Sequence, residues 1–298
     1  MSGKGLAKII LIGEHSVVYG HPALAIPFRH LNSLVTLEAS DTFILRSKYF
    51  NGPLVDAVMP MHGLKLLIET LISDFSDKVT PVIITVSSNI PEKSGLGSSA
   101  SIARAIINAF DNYFALHLPQ RAYYTYLELS ENVYHGRASG IDAATVIDEK
   151  PIRFESGAIS SLDFNLNGYL MVISSNMPSS TKDAVSRVRK HQERDLHVNR
   201  LAKYTKDAEI ALRNNDIKDL GVLFNKAHES LRSLNLSTPV LETLRDSLLE
   251  NNALGVKLTG GGMGGCLIAL FANKKDAENA AQKIQDYETW LLYMGEIK

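Results

Sequence analysis

Four side chains that could move a proton, bind a metal ion or neutralise phosphate stand far apart in the sequence: Lys8, Ser99, Glu131 and Asp142. Ser99 belongs to the most informative stretch of the chain, Pro91 to Ala100 (PEKSGLGSSA). There Gly95 and Gly97, on either side of Leu96, let the backbone approach a ligand and permit φ > 0. The spacing that follows predicts a helix over Ser98 to Phe114, after a strand. The unpaired N–H groups and positive dipole end at its start suit an anion such as phosphate. Ser98 and Ser99 add hydroxyls for a phosphate oxygen or Mg²⁺. The competing reading is a plain serine cap, a common way to begin a helix. Two glycines, two consecutive serines and the preceding strand favour the phosphate. The stretch is not a Walker A loop, because no Gly-Lys-Ser/Thr triplet follows. The His-Arg-Asp and Asp-Phe-Gly segments of protein kinases are also missing.

A second cluster, Lys257 to Cys266 (KLTGGGMGGC), contains a G-x-G-x-x-G match at Gly260, Gly262 and Gly265. A dinucleotide fingerprint must open a helix, whereas Cys266 to Phe271 reads as a strand. The cluster is therefore read as a hairpin turn. Five glycines in six positions exceed what a turn needs, which favours a turn lying over a ligand.

Glu131 and His135 share one face of a predicted helix, and Asp142 follows a Ser-Gly turn. Zinc would need more ligands at known spacing. Mg²⁺ takes one or two carboxylate or hydroxyl oxygens together with substrate phosphates, and Glu131 with Ser99 would serve. Taken singly, Asp142 reads as a helix cap, Lys8 as a solvated lysine and His15 as ambiguous.

The elements that must position these groups mix strands and helices in both halves of the 298 residues. Strands are predicted at Ile9–Ile12, Ala23–Ile26, Leu34–Glu38, Phe43–Leu45, Val79–Val86, Pro151–Phe154, Tyr169–Ser174, Gly255–Thr259, Cys266–Phe271 and Glu288–Tyr293. Besides Ser98–Phe114, helices are predicted at Met61–Ile72, Arg121–His135, Thr181–Asn214, Leu220–Leu234, Pro239–Leu249 and Lys275–Ile284. The order lacks strict strand–helix alternation, so the class is α+β. A boundary is expected near residue 165. Apolar residues make up 45% and charged residues 21%, enough for a real core, and the net charge of −1 does not fit a nucleic-acid binder. The single cysteine, Cys266, lies in an apolar run and is expected to be buried. No apolar run reaches the length of a membrane helix or a signal core, so a cytoplasmic protein is expected.

Three segments in order, Lys8 to Gly20 (KIILIGEHSVVYG), Pro91 to Ala100 and Lys257 to Cys266, resemble the GHMP kinases. Within them the chain is most similar to the mevalonate kinases of compact bacterial type. Gly13 to Gly20 is similar to their Gly-Glu-His-Ala-Val-Val-x-Gly, and Glu131 to Asp142 resembles their Glu-x-x-x-His-Gly-x-Pro-Ser-Gly-x-Asp. A galactokinase would show an aspartate where Val17 and Val18 stand. Two departures are Leu6-Ala7 before Lys8, where the family often has Pro-Gly, and Ala138 in place of a proline. Neither removes a functional group.

The resemblance implies an N-terminal α/β domain (1–165) with a left-handed βαβ crossover and a ferredoxin-like C-terminal domain (166–298), with the active site in the cleft between them. It implies ATP-dependent phosphorylation of the C5 hydroxyl of mevalonate, in the mevalonate route to isoprenoids. Asp142 would accept the hydroxyl proton and Lys8 would stabilise charge. His15, Glu14 and Thr181 would bind substrate. Gly95, Leu96, Gly97, Ser98, Ser99, Gly261 and Gly262 would hold the phosphates, and Ser99 with Glu131 would bind Mg²⁺. Expected partners are mevalonate and ATP, with neither nucleic acid nor membrane, and a homodimer is left open. The alternatives are a phosphomevalonate or homoserine kinase, for which Arg137, Arg187 and Arg189 are available, and a sensor that binds ATP without chemistry.

Overall fold

The computed structural model describes residues 1–58, 61–135, 140–162 and 166–297, without the side chains of Tyr134 and His135. The boundary expected near residue 165, the His135 side chain and Arg137 therefore lie outside the described residues. The chain forms two compact units that interleave in sequence. Unit 1 holds residues 1–8, 27–90 and 97–149, and unit 2 holds 9–26, 91–96 and 150–298. The serine-glycine stretch thus changes unit between Leu96 and Gly97.

Unit 1 is built on the start of β1 (Ser2–Ile12), most of β2 (Ala23–Ala39), β3 (Ile44–Arg46), β4 (Asn51–Pro53) and β5 (Val82–Ser88). Its strand order is β4-β3-β5-β2, with β1 also on β2. β3 and β5 are parallel, joined through the crossover helix α1 (His62–Asp74), and the other registered pairs are antiparallel. Pro81 directly precedes β5, where its missing N–H costs no ladder bond. Helices α2 (Ser98–Phe114), α3 (Gln120–His135) and α4 (Ile141–Asp148) complete the unit. Leu67, Ile68, Ile84, Ile106, Phe110 and Leu127 are its fully buried centre.

Two strands expected at Ala23–Ile26 and Leu34–Glu38 are one strand, β2. Its ends serve different partners: Ala23–Ala25 pair with β6 (Ile152–Glu155), and Ser33–Ala39 pair with β5. Pro27 falls in the stretch 26–32 that neither of these two ladders uses.

Unit 2 carries the hairpin β6–β7 (Ala158–Ser161) and a four-stranded antiparallel sheet. The sheet runs β11 (Thr289–Tyr293), β8 (Tyr169–Ser174), β10 (Cys266–Phe271), β9 (Gly255–Thr259). A helical segment follows β8, a hairpin joins β9 to β10, and α9 (Lys274–Lys283) leads to β11. This is the βαββαβ order of a ferredoxin-like fold. The helix expected over Thr181–Asn214 is two, α5 (Thr181–Lys190) and α6 (Arg194–Arg213). His191 breaks it: its backbone is extended and its Nδ1 accepts from the Glu193 N–H at 3.2 Å, a local bond that competes with the helix ladder. Helices α7 (Ile217–Ser233) and α8 (Pro239–Glu250) pack on β9. Cys266 is buried in β10.

Candidate active site

In unit 1, Lys8 lies within β1 instead of before it, and its side chain is 2% exposed. Its Nζ stands 2.8 Å from the Asp142 Oδ1, whose side chain is 37% exposed. Asp142 is not the cap of α4. That position belongs to Gly140, with φ 89°, and Asp142 sits in the first turn. A carboxylate there is favoured by the helix dipole. The pair is thus half sheltered: the cation is held in the core while the carboxylate keeps an open side.

Gly97 caps α2 with φ 77°. A Cβ at Gly97 would come within 2.8 Å of the Lys8 Cγ. Only glycine both adopts this backbone and leaves room for the lysine. The serine-cap reading is overturned, because the start of α2 has no side-chain cap and no acidic residue in its first turn. Its N–H groups and dipole are therefore available to an anion. Ser101, one turn in, ties the helix to β1 by donating to the Gly5 carbonyl at 2.8 Å. Ser99 donates to the Glu131 Oε1 at 2.6 Å, which brings together the two oxygen ligands expected for Mg²⁺. Ser98 begins the same turn.

In unit 2 the remaining candidates gather on the β9–β10 hairpin. Gly95 packs against it: a Cβ there would lie 3.1 Å from the Thr259 carbonyl oxygen and 3.3 Å from the Gly260 Cα. Leu96 beside it is buried, and its N–H donates to the Ser94 Oγ at 3.3 Å. Thr181 opens α5 against Gly261. Gly262 is held by Ser179, whose Oγ donates to its carbonyl at 2.6 Å.

His15 has φ 62° and ψ −42°, and the Ser16 N–H donates to the Glu14 carbonyl at 2.7 Å. This is a γ-turn with positive φ, rare and strained, and such a residue costs about 1–3 kcal/mol. The His15 Nε2 lies 2.8 Å from the Gly261 carbonyl oxygen. Since that oxygen only accepts, Nε2 carries the proton. Burial pushes the imidazole pKa down to about 4, against the smaller opposing effect of the Gly261 bond. His15 is therefore neutral near pH 7.

Sequence reasoning missed three supporting residues. Lys257 bonds the Glu14 carboxylate with both side chains fully buried. Thr259 donates to the Ile10 carbonyl at 2.9 Å. His228 accepts the Leu258 N–H at Nδ1, 3.2 Å, and its Nε2 lies 2.9 Å from Glu242. The available signal was a lysine inside the otherwise apolar run Gly255 to Leu258.

The His15 shift has a stability consequence. Between about pH 6.5 and about pH 4 the unfolded chain binds a proton that the folded imidazole refuses, so stability falls as pH falls through that window. Burial also lowers the His228 pKa, which has the same sign; a His15→Asn comparison isolates the first effect. From pH 7 to pH 5, His15 accounts for roughly 2 kcal/mol of the lost stability. Urea denaturation should show a loss smaller by that amount in His15→Asn, and equal losses would contradict the assignment.

Comparison with known proteins places the chain in a family. Residues 63–149 match the GHMP kinases N terminal domain, and residues 208–288 match the GHMP kinases C terminal family. A curated mevalonate kinase of Thermococcus sibiricus is 32% identical over 305 residues, spanning 93% of this chain and 91% of the relative. One from Pyrococcus furiosus is 32% identical over 296 residues, spanning 90% and 88%. The crystal structure of the Methanococcus jannaschii mevalonate kinase superposes with a TM-score of 0.87 at 25% identity, covering 99% of this chain and 98% of that one. The chain belongs to the GHMP kinases, in the mevalonate kinase family.

Proposed function

We propose that the chain transfers the γ-phosphoryl group of ATP to the C5 hydroxyl of mevalonate, giving 5-phosphomevalonate and ADP in the route to isoprenoids. The observation that carries this reading is the Lys8–Asp142 pair at 2.8 Å, a buried cation beside a partly open carboxylate, in a chain about one-third identical to mevalonate kinases.

Phosphoryl transfer requires positioning and charge neutralisation more than covalent chemistry. Asp142 accepts the hydroxyl proton as the oxygen attacks the γ-phosphorus, and the bond to the bridging oxygen breaks toward ADP. Lys8, fixed in β1, offsets negative charge on the attacking oxygen and on the moving group. The uncapped start of α2, with Gly97, Ser98 and Ser99, binds phosphate oxygens through N–H groups and hydroxyls, and Gly95 and Leu96 lead the backbone into it. Gly261 and Gly262 supply further backbone contacts to the phosphates. His15 and Thr181 contact mevalonate, as does the turn that Glu14 begins.

The hydroxyl of Ser99 and the carboxylate of Glu131 are hard oxygen donors already in contact, which fits Mg²⁺ held by few protein ligands. Held there, the ion would supply positive charge that offsets the charge of the phosphates. Among the described residues no helix is long and apolar enough to cross a membrane, which accords with small soluble substrates.

The direct test is ADP release with MgATP, offering mevalonate, phosphomevalonate, homoserine and galactose in parallel. Turnover is expected with mevalonate. Turnover with another of these alcohols alone would overturn the substrate, and ATP binding without turnover would leave a sensor. In the same assay, Asp142→Ala and Lys8→Met should each lower kcat by about two orders of magnitude or more. Near wild-type turnover in Asp142→Ala would remove it as the base. For Glu131→Ala, a Mg²⁺ titration should show a raised requirement, and an unchanged titration would exclude the ligand role.

A further inference from the structure

Lys257 lies in β9, and its side chain and that of Glu14 are both 0% exposed. Its ammonium bonds the Glu14 carboxylate, donates to the Leu258 carbonyl at 2.7 Å, and stands 5.6 Å from the centre of the Phe224 ring. A buried ion pair is weak support for stability, because well-packed apolar residues of similar volume often do as well. A different account of this charge comes from what the pair connects.

Glu14 is the first residue of the strained γ-turn centred on His15. A positive-φ backbone of this kind persists in a residue with a Cβ only where its surroundings over-determine it. Two tethers do so here, and both come from the β9–β10 hairpin. Lys257 grips Glu14, and the Gly261 carbonyl accepts from the His15 Nε2. The hairpin strand is itself pinned next to Lys257, since the Leu258 N–H donates to His228. The Glu14 carboxylate faces this lysine within the core.

We infer that Lys257 is a positioning residue for mevalonate: its bond to Glu14 holds the strained turn so that His15 meets the substrate in its binding orientation. Glu14 then acts through the turn. The inference rests on the reading of His15 as a mevalonate contact.

The test is a double-mutant cycle in steady-state kinetics with Lys257→Met, His15→Ala and the combination. Lys257→Met should raise the KM for mevalonate about tenfold or more, because a small misplacement of a binding group is costly. The KM for ATP should stay within about twofold, and kcat should fall by less than the KM rises. In the His15→Ala background the same change should add less than about twofold, because no imidazole is left to position. A purely structural role would not produce that non-additivity. Effects that multiply, or an unchanged mevalonate KM in Lys257→Met, would overturn the positioning role while leaving His15 as a substrate contact. An unchanged mevalonate KM in His15→Ala would instead overturn the reading of His15, and the inference with it. If Lys257→Met fails to fold because Glu14 is stranded in the core, the neutral pair Lys257→Met/Glu14→Gln carries the same cycle with the same expected results.

Discussion

Two lysines lie inside β-strands almost without solvent contact, and much of this molecule follows from where their countercharges must be. Lys8 is 2% exposed in β1 and Lys257 fully buried in β9. An ammonium stranded in a core without a partner costs several kcal/mol. Neither strand can therefore pack until a distant part of the chain supplies a carboxylate. For Lys8 the partner is Asp142, in the first turn of α4, where the helix dipole also favours negative charge. For Lys257 it is Glu14, just after β1. In each case the demand for compensation joins segments that have no local reason to meet.

The packing around Lys8 joins the serine-glycine stretch to Asp142. Gly97 turns with positive φ against the lysine stem, and any Cβ there would collide with it. One residue thus shapes the start of α2 and the path of Lys8. A serine cap at that helix start would contribute about 1 kcal/mol. The chain forgoes it, and the N–H groups stay available for an anion. The strained turn at His15 is a parallel case, in which local stability is given up at a point that tertiary contacts then hold in place.

The strongly patterned elements were legible in advance. α2, β8, β9 and β10 begin and end where periodicity and the flanking glycines put them. The α+β class and the order of the three glycine-bearing segments were legible too. What failed was continuity. β2 runs through Pro27, with its two ends paired to different strands, and the long helix after Thr181 breaks because the His191 ring captures a backbone N–H. Both depend on partners that a window of neighbouring residues does not contain.

The same division holds for the site. By itself the sequence determined which residue types were present: glycines able to take positive φ, hydroxyls, carboxylates and a lysine in the right order along the chain. These are local, chemical properties, and they sufficed to reach the kinase family. Only the tertiary structure decided their states. It turned Lys8 from a solvated lysine into a buried cation on Asp142, moved Asp142 from a cap into a helix turn, and brought Ser99 to Glu131. It alone revealed Lys257, whose partner Glu14 is remote in sequence. Burial and pairing decide whether a charge is solvated or confined, and both are set by contacts between segments far apart in the chain.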